Sequence, residues 1–398
     1  MWCSERWPGV EQVSAQTADW SRQLSIEAGA MRILIFGAGA VGSFLGNRLQ
    51  SAGNDVTLAG RSSFVRAVRK HGLTLEERAP TGVHAGAGSL LRVVYPRAVE
   101  SIEDVPRSKR TWDLMLLTVK AHDTHEAAQA LEPFASPRVP LLIVQNGVGG
   151  EEAVSEVLKE APIISGVITM SVSVLEPGHV RLETTRGGLN LAPTGVGQGL
   201  DPWAAVLAAA GLRPAIYPDY RALKWSKLLL NLQANAIPAI LDMAPAEVFS
   251  QPALFEVERA AFLEAAAVMQ ALALRPVSFP SYPVPILAWA MRAVPSPVLR
   301  PILRRIVGSG RGDKKPSLQL DLARGRPHSE VLYLNGAVVT HARRVGREAP
   351  VNSYLMATLI DIASGRVLWD EFRGQPDKLL ADIEGKRRLA HGPAGGME

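Results

Sequence analysis

At 398 residues the chain exceeds the roughly 250–300 residues at which single hydrophobic cores stop growing, so two domains are expected. Hydrophobic residues make up 47% and charged ones 20%, which excludes wholesale disorder, and the one cysteine, Cys3, can make neither an internal disulfide nor a Cys-rich zinc site. Formal net charge is +5, but the segment Arg275 to Pro316 holds eight basic residues against Asp313 alone, leaving the rest slightly acidic. Basicity confined to one segment, with no recognisable nucleic-acid module, argues against a nucleic-acid partner. The most apolar stretch, Ile286 to Val307, is broken by Arg292, Arg300, Arg304, Arg305 and several prolines, so no membrane span is expected and the setting reads as cytoplasmic.

Residues 1–30 hold three of the eight tryptophans and lack the apolar core of a signal peptide, so they read as a poorly ordered extension. Arg32 to Phe36 is a short β-type run, followed by a glycine turn and a helix-like stretch from Ser43 to Gln50. Further strands are expected at Asp55 to Ala59, Asp113 to Val119 and Leu141 to Val144, with a helix around His122 to Leu131. Such alternation predicts an α/β fold, a doubly wound Rossmann-type parallel sheet over residues 31–200. Short strands after Ile163 are expected to finish that sheet. From Asp201 the pattern turns helical, with helices expected at Tyr220 to Ala234, Pro245 to Leu272, Pro316 to Arg324, Glu330 to Val345 and Asn352 to Ser364. An all-helical domain over 201–368 follows, with a basic, Pro-rich insert of broken helices at 275–316 and a C-terminal tail at 369–398, frayed after Gln375.

Gly37, Ala38, Gly39, Ala40, Val41 and Gly42 fit G-x-G-x-x-G between strand and helix. The first glycine permits the turn, the second admits a pyrophosphate to the backbone, and the third lets helix and strand pack, while the helix N-terminus offers NH donors. At the second strand tip an acid would receive the ribose hydroxyls of NAD, but Gly60-Arg61-Ser62-Ser63 stands there. A guanidinium suits a 2′-phosphate, so NADP(H) is the expected cofactor, against the alternative of a solvated surface arginine. Lys120 and Asn146 follow expected strand ends, where ligands bind in open sheets, although each is also an ordinary loop residue type. His122 and His125 lack a third metal ligand, so no metal is expected.

Lys227, Asn231 and Asn235 are spaced i, i+4, i+8 among leucines, which puts them on one helix face about 6 and 12 Å apart. A buried ammonium and two amides are costly without partners, so a ligand-facing stripe is favoured over interhelix bonding. Ser317 opens a helix and suits either a carboxylate ligand or a simple cap. Glu330 in a first helical turn reads equally as a surface acid or a site residue.

Taken together, Gly37 to Gly42, Lys120, Asn146-Gly147, Lys227 with Asn231 and Asn235, Ser317 with Asp321, Glu330 with Asn335-Gly336, and Pro350-Val351-Asn352 resemble the ketopantoate reductase family from Met31 to about Arg366. The resemblance implies NADPH-dependent reduction of a small 2-oxo acid, 2-dehydropantoate to pantoate. It makes Lys227 the catalytic acid, gives Asn231, Asn235 and Ser317 substrate contacts, and has Glu330 holding the substrate hydroxyl or nearby cofactor. It sets Lys120 and Asn146 on the nicotinamide side. Ala236, Leu332 and Pro245 depart from the family pattern, and the 275–316 segment is long for it, which opens a different 2-oxo acid as an alternative. A turnover-silent NADP(H) sensor is a second alternative. For the basic segment a flap near the cleft and a solvated elaboration are weighed ahead of peripheral membrane contact, and a homodimer is an assembly open to the chain.

Overall fold

The computed structural model describes residues 30–77, 89–184, 186–310, 315–326 and 329–390. The expected extension at 1–30, apart from Ala30, and the last eight residues lie outside them. A seven-stranded sheet is built from β1 (Arg32–Phe36), β2 (Asp55–Ala59), β5 (Arg97–Val99), β6 (Leu114–Leu117), β7 (Leu141–Ile143), β8 (Ile163–Ile168) and β11 (Leu189–Pro193), in the order β11-β8-β7-β6-β1-β2-β5. All neighbours are parallel except β11, which runs antiparallel to β8. Side chains alternate across β1: Ile33 and Ile35 pack on one face with Phe44, Leu45 and Leu49, while Leu34 packs on the other with Met115, Leu117 and Leu141. A strand covered on both faces must be apolar throughout, which is why these runs show no polar alternation. The strand order reverses on either side of β1, and an open sheet has its ligand crevice beyond the carboxyl ends at that reversal.

The short strands after Ile163 do not all finish this sheet. β9 (Val172–Glu176) and β10 (His179–Leu182) join β3 (Leu73–Glu77) and β4 (Leu90–Val94) in a second, four-stranded sheet ordered β4-β3-β10-β9. β10 pairs with β3 across about a hundred residues of chain, a choice that local pattern does not encode.

The rest is helical. In chain order α1 (Ala40–Ser51), α2 (Ser62–His71), α3 (Thr124–Leu131), α4 (Gly150–Val157) and α5 (Asp201–Ala209) accompany the sheets. Then come α6 (Tyr220–Leu232), α7 (Ala236–Leu241), α8 (Pro245–Val248), α9 (Pro252–Ala271), α10 (Val284–Ala293), α11 (Ser296–Gly310), α12 (Ser317–Ala323), α13 (Asn335–Arg344), α14 (Pro350–Ala363) and α15 (Pro376–Ala390). Their shared core includes Trp225, Phe249, Phe255 and Phe262. Several expected helices are corrected. Tyr220 to Ala234 stops at Leu232, since Gln233 is extended and Ala234 is left-handed at φ 51°, its NH held by the buried Glu258 carboxylate at 2.9 Å. Pro245 to Leu272 is two helices, and Glu330 to Val345 begins as a 3-10 turn, Glu330–Tyr333, before α13. The stretch after Gln375 is no frayed tail up to residue 390, because α15 buries Leu379 and Ile383 in the helical core.

The described part of the basic segment forms α10 and α11, both packed on α9. Arg259 of α9 fixes the corner between them, donating to the Met291 carbonyl at 2.7 Å and to Ser296 Oγ at 2.6 Å. Pro301 sits inside α11, where proline was expected to break a helix. Residues 311–314 of the segment lie outside the described chain. No described helix is long and apolar enough to cross a membrane.

Candidate active site

The glycine turn meets the geometric demands of its motif. Gly37 has φ 115°, and a Cβ there would meet the Val119 backbone N at 2.5 Å. A Cβ on Gly42 would stand 2.0 Å from the Gly37 carbonyl oxygen, so β1 and α1 meet at a distance only glycine allows. Gly39 has ordinary extended backbone, φ −78°, and a Cβ there would meet nothing within 4 Å. Its glycine is thus not required by the protein's own packing. It caps α1, which has no side-chain cap and no acid in its first turn, leaving NH donors and the helix dipole for an anion. A tight turn, an open approach at Gly39 and a bare helix start fit a dinucleotide pyrophosphate.

At the tip of β2, a Cβ on Gly60 would press on Ala38 at 2.6 Å, so this loop abuts the glycine turn. Arg61 is exposed at the start of α2. Beside it Ser62 Oγ donates to the Glu100 carboxylate at the end of β5. The sequence reading found no acid at this tip. Glu100 brings one from a different strand, which adjacency in sequence did not reveal.

The remaining residues gather in two groups around the carboxyl ends of β6 and β7. In the first, Lys120 Nζ lies 2.7 Å from Asp321 Oδ2, and Arg326 Nη1 is 2.9 Å from the other oxygen of the same carboxylate. Glu330 completes this group. Burial pushes its carboxyl above the usual range, the Lys120 ammonium opposes that, and the Asp321 carboxylate adds to it. Ser329 Oγ accepts the Val331 NH, which fixes the turn carrying Glu330. In the second group Asn231 Nδ2 donates to Asn146 Oδ1 at 3.4 Å, joining α6 to the loop after β7. Lys227 stands one turn before Asn231, half-buried. Asn235, beyond the helix end, is not on a continuous i+8 face. Its Nδ2 donates to the Asn231 carbonyl at 3.1 Å, and its Oδ1 accepts the Leu318 NH at 3.3 Å. Asn235 therefore caps α12, a role that Ser317, exposed at the first position of that helix, does not fill.

Asp321 was named with Ser317 only as part of the family resemblance and Arg326 not at all; Asp321 takes its place in the site from Lys120, 201 positions away in the chain, and Arg326 from Asp321. The Asn335-Gly336 and Pro350-Val351-Asn352 motifs prove to be architectural. Asn335 donates to the Asn352 side chain at 3.0 Å, and the Glu264 carboxylate accepts the NH groups of Val351 and Asn352 at 2.8 and 2.9 Å. His122 lies 3.4 Å from Asp123, and among the described residues no three His, Cys, Asp or Glu side chains are grouped to hold a metal ion. A cavity of about 420 Å³ lies behind α6, against Tyr220, Trp225, His341 and Arg344, and includes neither Lys227 nor Asn231.

Comparison with known proteins gives the family. Residues 33–195 match the family profile "Ketopantoate reductase PanE/ApbA", and residues 219–363 match "Ketopantoate reductase PanE/ApbA C terminal". Relatives named 2-dehydropantoate 2-reductase include one from Archaeoglobus fulgidus, 29% identical over 84% of this chain and 98% of its own length. Another, from Pyrococcus horikoshii, is 27% identical over 82% and 96%. Among solved structures, a ketopantoate reductase of this family from Ralstonia eutropha superposes with a TM-score of 0.69 at 28% identity, covering 84% of this chain and 99% of that one. D-mandelate dehydrogenase with NADH and anilino(oxo)acetate shares the fold with the same TM-score at 22% identity, over 84% of this chain and 99% of its own. With both family profiles spanning the glycine turn, the β6 and β7 loops and the α6 helix just described, the chain belongs to the ketopantoate reductase family of pyridine-nucleotide-dependent oxidoreductases.

Proposed function

We propose that this protein reduces 2-dehydropantoate to pantoate with NADPH in the cytoplasm, residues 31–200 holding the cofactor and 201–368 the substrate. The observation that supports it most is the Asn231–Asn146 contact, which sets the Lys227 helix over the carboxyl end of β7, where the reactive end of a dinucleotide belongs. Gly37 to Gly42 with Ala38, Ala40 and Val41 would hold the pyrophosphate, Arg61 the 2′-phosphate, and Lys120 and Asn146 the nicotinamide side. The cofactor supplies a hydride to the ketone carbon.

The chain's own work is position, polarisation and one proton. The Lys227 ammonium hydrogen-bonds the ketone oxygen, draws charge toward it as it becomes an alkoxide, and gives it a proton, leaving a neutral amine that is reprotonated from solvent. Asn231 and Ser317 receive the substrate carboxylate. Asn235 keeps one N–H and one lone pair for substrate after its two structural bonds, so it orients substrate from a fixed position. Glu330, beside Lys120 and Asp321, serves as a hydrogen-bond partner for the substrate hydroxyl.

Steady-state oxidation of NADPH and NADH with a panel of 2-oxo acids tests the proposal. Highest kcat/KM with 2-dehydropantoate is expected. Lys227→Ala should lower kcat by about 10²–10⁴, the usual contribution of a positioned acid, with NADPH affinity little changed. No turnover of any 2-oxo acid by the unaltered protein moves the reading to a sensor.

A further inference from the structure

A deeply buried charged pair joins the sheet to the helix that carries Lys227. Lys224 and Glu151 have side chains only 4% and 2% exposed, with Lys224 Nζ 2.8 Å from Glu151 Oε1. The same ammonium donates to the Gln145 carbonyl at 2.9 Å. Ser165 Oγ of β8 donates to Glu151 Oε1 at 2.6 Å, so the carboxylate is itself held in place from the sheet. Gln145 immediately precedes Asn146, the residue that Asn231 touches.

Each part of this network lies on the path between cofactor side and acid. Glu151 belongs to the first turn of α4, Gln145 to the loop after β7, and Lys224 to α6, one turn before Lys227 and about 4.5 Å from it along the axis. A buried ion pair is a poor source of stability, since two well-packed apolar side chains of similar volume are often as good or better. Its distinguishing property is direction: two bonds from one ammonium, to the Glu151 carboxylate and the Gln145 carbonyl, define where α6 sits along the β7 loop, whereas apolar packing tolerates sliding.

We infer that Lys224 is a positioning residue for the reaction, whose pairing with Glu151 and the Gln145 carbonyl sets the register of the Lys227 helix against the cofactor-side loop. The inference rests on the assignment of Lys227 as proton donor. Lys224 and Glu151 line the cavity of about 420 Å³ that includes neither Lys227 nor Asn231, so Lys224 acts through the helix and not at the reacting atoms.

The test is the double variant Lys224→Met, Glu151→Leu, which removes both charges together and leaves neither stranded. Expected are an unchanged or higher Tm, an NADPH Kd within twofold of the unaltered protein, and a kcat for the best 2-oxo acid lowered tenfold or more. A purely structural pair would not split kcat from Tm and cofactor binding in this way. A folded double variant with kcat within twofold overturns the inference. If the double variant does not fold, Glu151→Gln, which keeps shape and loses charge, takes its place; at least a threefold loss of kcat is expected, and no loss overturns it. Amide exchange over Gln145 to Gly149 gives a readout that does not depend on turnover. Faster exchange is expected in the variant, and unchanged exchange overturns the inference even if the unaltered protein proves to reduce no 2-oxo acid, an outcome that would count against the proposed function alone.

Discussion

Gly39 and Gly42 occupy the same turn, and the structure gives them opposite reasons for being glycine. At Gly39 an added methyl meets nothing of the protein within 4 Å, and φ −78° suits alanine. Alanine there gains about 0.4–1 kcal/mol by restricting the unfolded chain and loses about 0.5–1 kcal/mol as a poorer helix cap. These offset, so Tm should move by no more than a few degrees. The methyl does enter the space over the bare start of α1, where a pyrophosphate would accept backbone NH bonds. Losing one charge-assisted bond of about 1.5–3 kcal/mol weakens NADPH binding about tenfold to a hundredfold. Gly42→Ala should behave differently: a Cβ 2.0 Å from the Gly37 carbonyl and 2.6 Å from Thr118 Oγ1 forces α1 away from β1, lowering Tm as well as affinity. Fluorescence titration with NADPH and a thermal melt on both variants measure this. Gly39→Ala with unaltered NADPH affinity and unaltered Tm refutes the dinucleotide assignment of the turn.

Other outcomes follow from single side chains. Arg61→Asp should erode a preference for NADPH over NADH about tenfold to a hundredfold, while Glu100→Gln should strengthen it by removing the neighbouring carboxylate; equal use of both cofactors by the unaltered protein contradicts the first expectation. Because burial raises the Glu330 carboxyl, the folded chain binds that proton more tightly than the unfolded chain does. The group's stabilising contribution is therefore present at acid pH and lost as pH rises above its ordinary value of 4.5. Glu330→Gln should accordingly gain Tm relative to the unaltered protein as pH rises above about 4.5, and a difference independent of pH argues against the burial. Arg259→Ala removes the clamp on the corner between α10 and α11 and should cost about 2 kcal/mol, read from the urea midpoint, with KM for the 2-oxo acid unchanged. A lowered midpoint accompanied by a raised KM would instead tie these helices to the cleft.

What the sequence alone determined is the part that short-range chemistry dictates. The glycine turn was legible because φ 115° at Gly37 and the contact at Gly42 exclude side chains, a constraint written into two positions five residues apart. The parallel sheet was legible because strands covered on both faces have to be apolar throughout. Lys227 and Asn231 showed themselves as polar residues one turn apart among leucines. The tertiary structure decided the rest, since hydrogen bonds and ion pairs select partners by position in space. Asp321 pairs with Lys120, Glu151 with Lys224, and Glu258 holds the break at Ala234 that takes Asn235 off the helix. Glu151 and Glu258 do not differ in sequence from surface acids on a helix, and Asp321, quoted with Ser317, gave no sign of its partner. Likewise β9 and β10 have the pattern of strands, but pattern says nothing of which sheet they join, and α15 passes for a tail until Leu379 and Ile383 find the core that buries them. Local periodicity fixes which face of an element is apolar, whereas the identity of the surface it meets is settled only when the whole chain closes around it.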